Sequence, residues 1–191
     1  MEHGMASHFL AFYRDAVQGS LWSSACRSPS SAWQPECLDH SHTLSMAGTP
    51  KADHFIALAA KAVSDSVKGD IVECGVWRGG LSFIVAKALE LQGVEDRQVV
   101  LADSFAGIPP PPKTGRFSAQ DQGAHGITLL HDNSAAAVQD AAVRFHLDPK
   151  RLQFVVGFFN ESLPALVAAQ PNLRFAVVRL DGDTYFSTMD A

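Results

Sequence analysis

Four stretches of the chain run apolar without alternation: "DIVECG" at 70–75, "RQVVLADSF" at 97–105, "RLQFVVG" at 151–157 and "RFAVVRLDGD" at 174–183. Such runs predict strands buried on both faces. Between them stand "LSFIVAKALELQG", "SAAAVQDAAVRFHL" and "SLPALVAA", whose apolar residues recur at helical spacing. A further amphipathic helix is expected over 51–67, "KADHFIALAAKAVSDSV", with Gly69 as its stop. Strands alternating with helices imply an α/β fold, a doubly wound and mainly parallel sheet of βαβ units. Ligands of such sheets bind beyond the carboxyl ends of the strands, so the turns at 73–80, 103–107, 157–161 and 181–183 are expected along one edge. Residues 1–50 read as a loop-rich lead-in, with Ser, Pro, His and Gly crowding 20–50, and residues 51–191 as the folded domain. The last residues, "TYFSTMDA", read as the first turns of a helix. The sequence is accordingly read as a fragment, with 175–180 an apolar sheet edge open to self-association as a homo-oligomer.

Composition narrows the partners. At 191 residues and 47% hydrophobic content, the chain suffices for one sizeable core. Fifteen basic against 20 acidic residues give a net charge of −5 with no basic run, which argues against a nucleic-acid partner and for a small molecule. Cys26, Cys37 and Cys74 form no CxxC pair, so neither structural zinc nor a disulfide scaffold is expected. The N-terminal stretch lacks a basic segment followed by a long apolar run, and no later run is long enough to cross a membrane. A cytoplasmic protein is the expectation.

"DIVECGVWRGG" carries the first candidate chemistry. Its glycines fall at Gly75, Gly79 and Gly80, a spacing unlike the dinucleotide fingerprint GxGxxG. Glu73, just before the turn, would repel a phosphate and attract a ligand carrying an ammonium and a sulfonium. Opposite charges roughly 4 Å apart gain about 1 kcal/mol in water and about 4 kcal/mol at a partly shielded site. That sign favours S-adenosylmethionine over NAD. A glycine turn alone also suits a tight strand-to-helix connection that binds nothing. Asp103 weighs against that bland reading, because it ends the second strand where open α/β folds place the acid that hydrogen-bonds ribose hydroxyls. An Asp there is also a common turn cap.

In order and spacing, "ECGVWRGG", "ADSFAGIPPP", "GFFNESLP" and "RLDGDTYFSTMDA" resemble the macrocin O-methyltransferase family, TylF type, from about residue 45 onward. The resemblance implies a Rossmann-like class I methyltransferase fold, incomplete here at its C-terminal end. It further implies methyl transfer from S-adenosylmethionine to a hydroxyl of a sugar-bearing or other small molecule, assisted by a divalent metal. Glu73, Gly75 and Gly79 would line the methionine end of the cofactor, Asp103 and Ser104 the ribose, and Phe158 and Phe159 the adenine or the substrate. Asp181 would be a metal ligand. In "SMAGTPKADHF", Ser45 and Lys51 stand where the family has a threonine and an arginine near the cofactor. The family completes its metal site with adjacent aspartates on a following strand, which this sequence does not reach.

The residues of "RLDGD" support that chemistry independently. Two carboxylates at i and i+2 are oxygen ligands of the kind Mg²⁺ takes, usually one or two per ion beside several waters. A sugar hydroxyl is a poor nucleophile until its proton leaves, and Asp183 is the candidate general base. His125 and His131 are alternatives with pKa values nearer neutrality, or plain loop histidines. An Asp-Gly surface turn is the bland alternative for the whole motif. "IPPPPKTGRF" reads as a stiff opening to a covering loop or as a spacer, and Trp77 is given no chemical role. A different class of function, a cofactor-binding module without catalysis, follows if the metal site stays incomplete.

Overall fold

The computed structural model describes residues 44–108 and 133–191. The expectations for the lead-in, for Cys26 and Cys37, and for most of the long loop with His125 and His131 lie outside the described residues. Among those described, no helix is long and apolar enough to cross a membrane.

The elements follow the alternation in the sequence: α1 (Thr49–Ser64), β1 (Asp70–Cys74), α2 (Gly80–Leu91), β2 (Val99–Asp103), α3 (Ala135–Arg144), β3 (Leu152–Val156), α4 (Phe159–Ala169), β4 (Phe175–Leu180) and α5 (Tyr185–Asp190). A short 3₁₀ turn, Pro149–Arg151, leads into β3. The four strands form one parallel sheet in the order β3-β2-β1-β4. Helices cover both faces, so the doubly wound expectation holds. One face buries Ile71, Val99, Leu101 and Val177 against α1, α2 and α3. The other buries Val72, Val100, Ala102 and Val155 against Leu166 of α4.

Helix α2 is central to the first face. Every residue from Gly80 to Leu89 is buried, the signature of a helix enclosed by core rather than lying on the surface. Each large apolar side chain so enclosed contributes roughly 1.5–3 kcal/mol. Strand β4 is different. It pairs only with β1 among the described residues, and Val178 and Leu180 are about half exposed at 54% and 46%. It is the apolar edge expected from the sequence.

The boundaries of α1 and α4 differ most plainly from the sequence reading. Helix α1 begins two residues earlier, with Pro50 in its first turn, and closes at Ser64; Ser66 then takes a left-handed backbone at φ 56°. Proline fits a first helical turn because its missing N–H has no partner there in any case. Gly69 therefore lies just ahead of β1 instead of stopping the helix. Helix α4 begins at Phe159, with Pro164 inside it, whereas "SLPALVAA" suggested a start at Ser162. Ser162 does not cap the helix, since its hydroxyl donates back to the Gly157 carbonyl at 3.1 Å.

The chain runs β1, β2, β3 outward in one direction and then returns to place β4 on the far side of β1. That reversal is the topological switch point, where open α/β sheets hold their ligands. It is tied tightly. Asp181 N–H donates to the Cys74 carbonyl at 2.8 Å, Gly75 N–H to Ala102 at 2.9 Å and Gly157 N–H to Asp103 at 2.9 Å, carrying the ladder past the strand ends. Gly75 makes this closeness possible: it sits at φ 90°, and a Cβ there would lie 2.1 Å from the Asp181 carbonyl oxygen. Gly93 is also left-handed, at φ 67°, but has open space around it. Gly75→Ala is expected to destabilise by more than about 3 kcal/mol in urea denaturation, and Gly93→Ala by only about 1 kcal/mol. Equal costs would contradict the close contact at the switch point.

Candidate functional site

The carboxyl ends of the strands enclose a cavity of about 480 Å³, within the range of small-molecule sites. Glu73, Gly75, Asp103, Ser104, Phe158, Phe159, Asp181 and Asp183 all line it. Of the predicted site residues only Gly79 stands back from the wall. It serves as the left-handed N-cap of α2, at φ 84°, where a Cβ would strike Phe83 and Val138. The elements that place these groups are short strands with their ends fixed by the extended ladder, so the side chains converge without needing long loops.

Electrostatics dominates the lining. Among the described residues, six acidic residues line the cavity, Glu73, Asp103, Glu161, Asp181, Asp183 and Asp190, against one basic residue, Arg179. Such a surplus of negative charge in a concave site attracts cations and disfavours phosphates.

Glu73 is only 2% exposed. Its Oε2 accepts from the Ser82 hydroxyl at 2.5 Å, and its Oε1 accepts from Nη1 of Arg179 at 2.8 Å. The second bond follows from sheet register, since Glu73 and Arg179 are direct partners across β1 and β4, where cross-strand neighbours on one face meet. Arg179 then reaches onward: its Nη2 donates to Oδ2 of Asp181 at 2.7 Å. Phe55 of α1 lies with its ring 6.0 Å from the guanidinium carbon. Burial pushes the Glu73 carboxyl up to about 7, against the opposing pull of Arg179 and of the Ser82 hydrogen bond. Removing Arg179 alone would strand this buried carboxylate, at a cost of roughly 3–5 kcal/mol.

Asp103 binds the glycine turn. Its Oδ2 accepts the backbone N–H groups of Val76 at 2.7 Å and Trp77 at 3.1 Å, and its Oδ1 accepts that of Phe105 at 2.9 Å. Oδ1 also lies 3.5 Å from the Ser104 hydroxyl, so the roughly four acceptor positions of the carboxylate are all met from within the two turns, the last by a long contact. The Ser104 hydroxyl donates to the Gly107 carbonyl at 2.6 Å. Asp103 thus acts as a turn cap and also stands at the cavity wall.

Asp183 has a left-handed backbone, φ 60°. Its carboxyl is raised above the ordinary value, first by burial and then by the charges of Asp181 and Asp103, with Lys51 and Arg179 pulling the other way. Lys51 is therefore close enough for its charge to reach the site. Ser45 is buried and lines the cavity, its Oγ accepting from Ala47 N–H at 3.1 Å. Among the described residues no three His, Cys, Asp or Glu side chains gather as a metal cluster. The carboxylate oxygens present are hard donors of the kind Mg²⁺ takes beside several waters, but Asp181 is already paired with Arg179 and Asp103 with the backbone of the two turns.

Sequence reasoning missed two residues that shape this site, Arg179 and Ser82. Arg179 had a legible signal: it stands two positions before Asp181 on a strand, hence on the same face. Trp77, to which no role was given, also lines the cavity, at φ 51° with the Arg78 guanidinium 4.8 Å from its ring centre.

The family model for macrocin-O-methyltransferase (TylF) matches residues 14–191. The chain belongs to this family. Among the TylF relatives are the 8-demethyl-8-(2,3-dimethoxy-alpha-L-rhamnosyl)-tetracenomycin-C 4'-O-methyltransferase of Streptomyces olivaceus, 35% identical over 76% of this chain and 54% of its own length, and the demethyldecarbamoylnovobiocin O-methyltransferase of Streptomyces niveus, 34% identical over 79% of this chain and 55% of its own. Mycinamicin III 3''-O-methyltransferase of Micromonospora griseorubida is 34% identical over 76% of this chain and 56% of its own length. The chain spans about half the length of these curated relatives. In fold it is similar to the O-methyltransferase NovP, with a TM-score of 0.79 over 97% of this chain and 76% of that one at 27% identity. The calicheamicin methyltransferase CalS11 shares the fold at a TM-score of 0.57 and 23% identity, over 94% of this chain and 70% of its own.

The state of Glu73 has a consequence for stability in this TylF chain. A carboxyl raised from 4.5 to about 7 holds a proton in the folded protein that the unfolded chain has already released between those values. Stability therefore falls as pH rises through that window. In urea denaturation between about pH 5 and about pH 7.5, Glu73→Gln is expected to flatten the decline. Parallel slopes in parent and variant would contradict it.

Proposed function

We propose that the protein is an S-adenosylmethionine-dependent O-methyltransferase acting on a hydroxyl of a sugar-bearing small molecule, with a divalent cation assisting. The observation that carries this reading is the cavity at the strand ends, lined by six acidic residues and one arginine, an environment suited to a sulfonium and an ammonium. Family membership supports methyl transfer, and the rhamnosyl group in the name of the Streptomyces olivaceus relative supports a glycoside acceptor.

In this reading the Glu73 carboxyl, held by Arg179 and Ser82, lies beneath the methionine end of the cofactor, with Gly75 and Gly79 shaping the turn beside it. Asp103, whose contact from the Ser104 hydroxyl is long at 3.5 Å, takes the ribose hydroxyls together with Ser104. Phe158 and Phe159 offer flat apolar surface to the adenine or the acceptor. Asp183 takes the proton of the acceptor hydroxyl, a task favoured by its raised pKa, which brings a carboxylate closer to the strength useful for a general base near neutrality. S-adenosylmethionine, when bound, would supply an electrophilic methyl group and leave as the neutral thioether, and the protein would contribute alignment and field. Asp181 would hold Mg²⁺, which when bound stabilises the alkoxide charge that develops on the acceptor.

A second reading, cofactor binding without catalysis, draws on the lack of a three-residue metal cluster among the described residues. Calorimetry with S-adenosylmethionine is expected to show micromolar affinity in the parent, and Asp103→Asn to weaken it about tenfold or more. Asp181→Ala is expected to abolish Mg²⁺-stimulated methylation of a glycoside while leaving cofactor affinity within about threefold. Binding without methylation under any metal would favour the second reading; no binding at all would remove both.

A further inference from the structure

Helix α5 supplies a stretch of cavity wall to which no chemistry has yet been given. Phe186, Ser187 and Asp190 line the cavity from it, and Ser187 is buried, 6% exposed. Tight packing sets where Ser187 stands: a Cβ on Gly182 would lie 3.0 Å from the Ser187 Cβ and 3.1 Å from its carbonyl carbon. Ser187 is thereby pressed against the turn that carries Asp181 and Asp183.

Two hydroxyls meet behind this wall. Thr184, the buried N-cap of α5, accepts the Ser187 backbone N–H on its Oγ1 at 3.2 Å, and the same Oγ1 lies 2.8 Å from the Ser187 Oγ. A single proton fits between the two oxygens. Were Ser187 to supply it, the Thr184 proton would be buried with no acceptor among the described residues, which forfeits its solvation without return. Thr184 therefore donates to Ser187. The Ser187 proton in turn has no acceptor among the described residues, and the residue borders the cavity. Ser187 thus offers a bound ligand a neutral donor, beside an Asp183 carboxylate that can only accept when ionised.

We propose that Ser187 is a positioning residue for the acceptor: it donates its hydroxyl proton to an oxygen adjacent to the hydroxyl that Asp183 deprotonates, so the site selects acceptors with two neighbouring oxygens, as in a vicinal diol. One packed unit of turn and helix then carries both halves of the recognition. One sugar oxygen gives its proton to Asp183, and its neighbour lends a lone pair to Ser187. The inference rests on the methyl-transfer reading given above and adds to it the feature of the acceptor that is read.

The test deletes the partner on each side. Rates of methyl transfer from S-adenosylmethionine to a methyl rhamnoside and to its monodeoxy analogues are measured for the parent and for Ser187→Ala, in buffer containing Mg²⁺. Ser187→Ala keeps the backbone N–H that Thr184 caps. Thermal melting establishes that it is folded, and calorimetry that it binds the cofactor within about threefold of the parent. In the parent, loss of the oxygen next to the methylated position is expected to lower kcat/KM about tenfold, because a buried donor is left unpaired. In Ser187→Ala the intact rhamnoside is expected to fall by a similar factor, and the same deoxy analogue to fall no further. Penalties that add independently on the two sides would confine the hydroxyl to the helix cap and overturn the role of Ser187. A parent indifferent to every adjacent deoxy analogue overturns it as well, without need of a variant. A parent that binds S-adenosylmethionine but methylates no rhamnoside overturns the glycoside reading and this inference together.

Discussion

A carboxylate buried in the centre of a parallel sheet is costly to keep, and the arrangement around Glu73 is organised by that cost. Two partners meet it, Ser82 from α2 and Arg179 from β4. Each comes from a different element packed against β1, so solvating one charge fixes the relation of a helix and an edge strand to the central strand. The same guanidinium extends to Asp181. The negative charge at the floor of the cavity and the one at its rim are thereby linked through a single side chain. Burial still pushes the Glu73 carboxyl up to about 7, which shows that the partners offset the desolvation only in part.

The backbone makes that linkage possible. Parallel strands pair β1 with β4 so that Glu73 falls opposite Arg179, and the left-handed Gly75 lets the chain after β4 close against the chain after β1. A side chain at that glycine would force the strand ends apart. The cavity and the ion pair therefore share one origin, the close approach of two backbones at the switch point.

The strands, the helices and the order in which they alternate were legible because buried parallel strands read as uninterrupted apolar runs. The acids at the strand ends were legible for a related reason: Glu73, Asp103 and Asp181 each interrupt or end such a run, where a charged residue is conspicuous. What the sequence did not show was how those acids are partnered. Arg179 looks like any polar residue in an edge strand until the register with β1 is known, and Ser82 looks like one more small residue in an apolar helix. Register is a tertiary property, set by which strands neighbour each other and by where their ladders begin. The start of α4 at Phe159 was not legible because the helical spacing of apolar residues becomes visible only from "SLPALVAA" onward, and the first turn, "FNE", carries no such pattern.

The family assignment and the charge of the cavity meet in one claim, that the cleft beside Glu73 receives a positively charged methyl donor with its ribose at Asp103. A crystal structure grown with S-adenosylmethionine tests it most directly. The account predicts density in this cavity with a ribose hydroxyl within hydrogen-bonding distance of Asp103 and the sulfonium on the side of Glu73 and Arg179. Density for the cofactor elsewhere on the molecule, or a ribose turned away from Asp103, would contradict it.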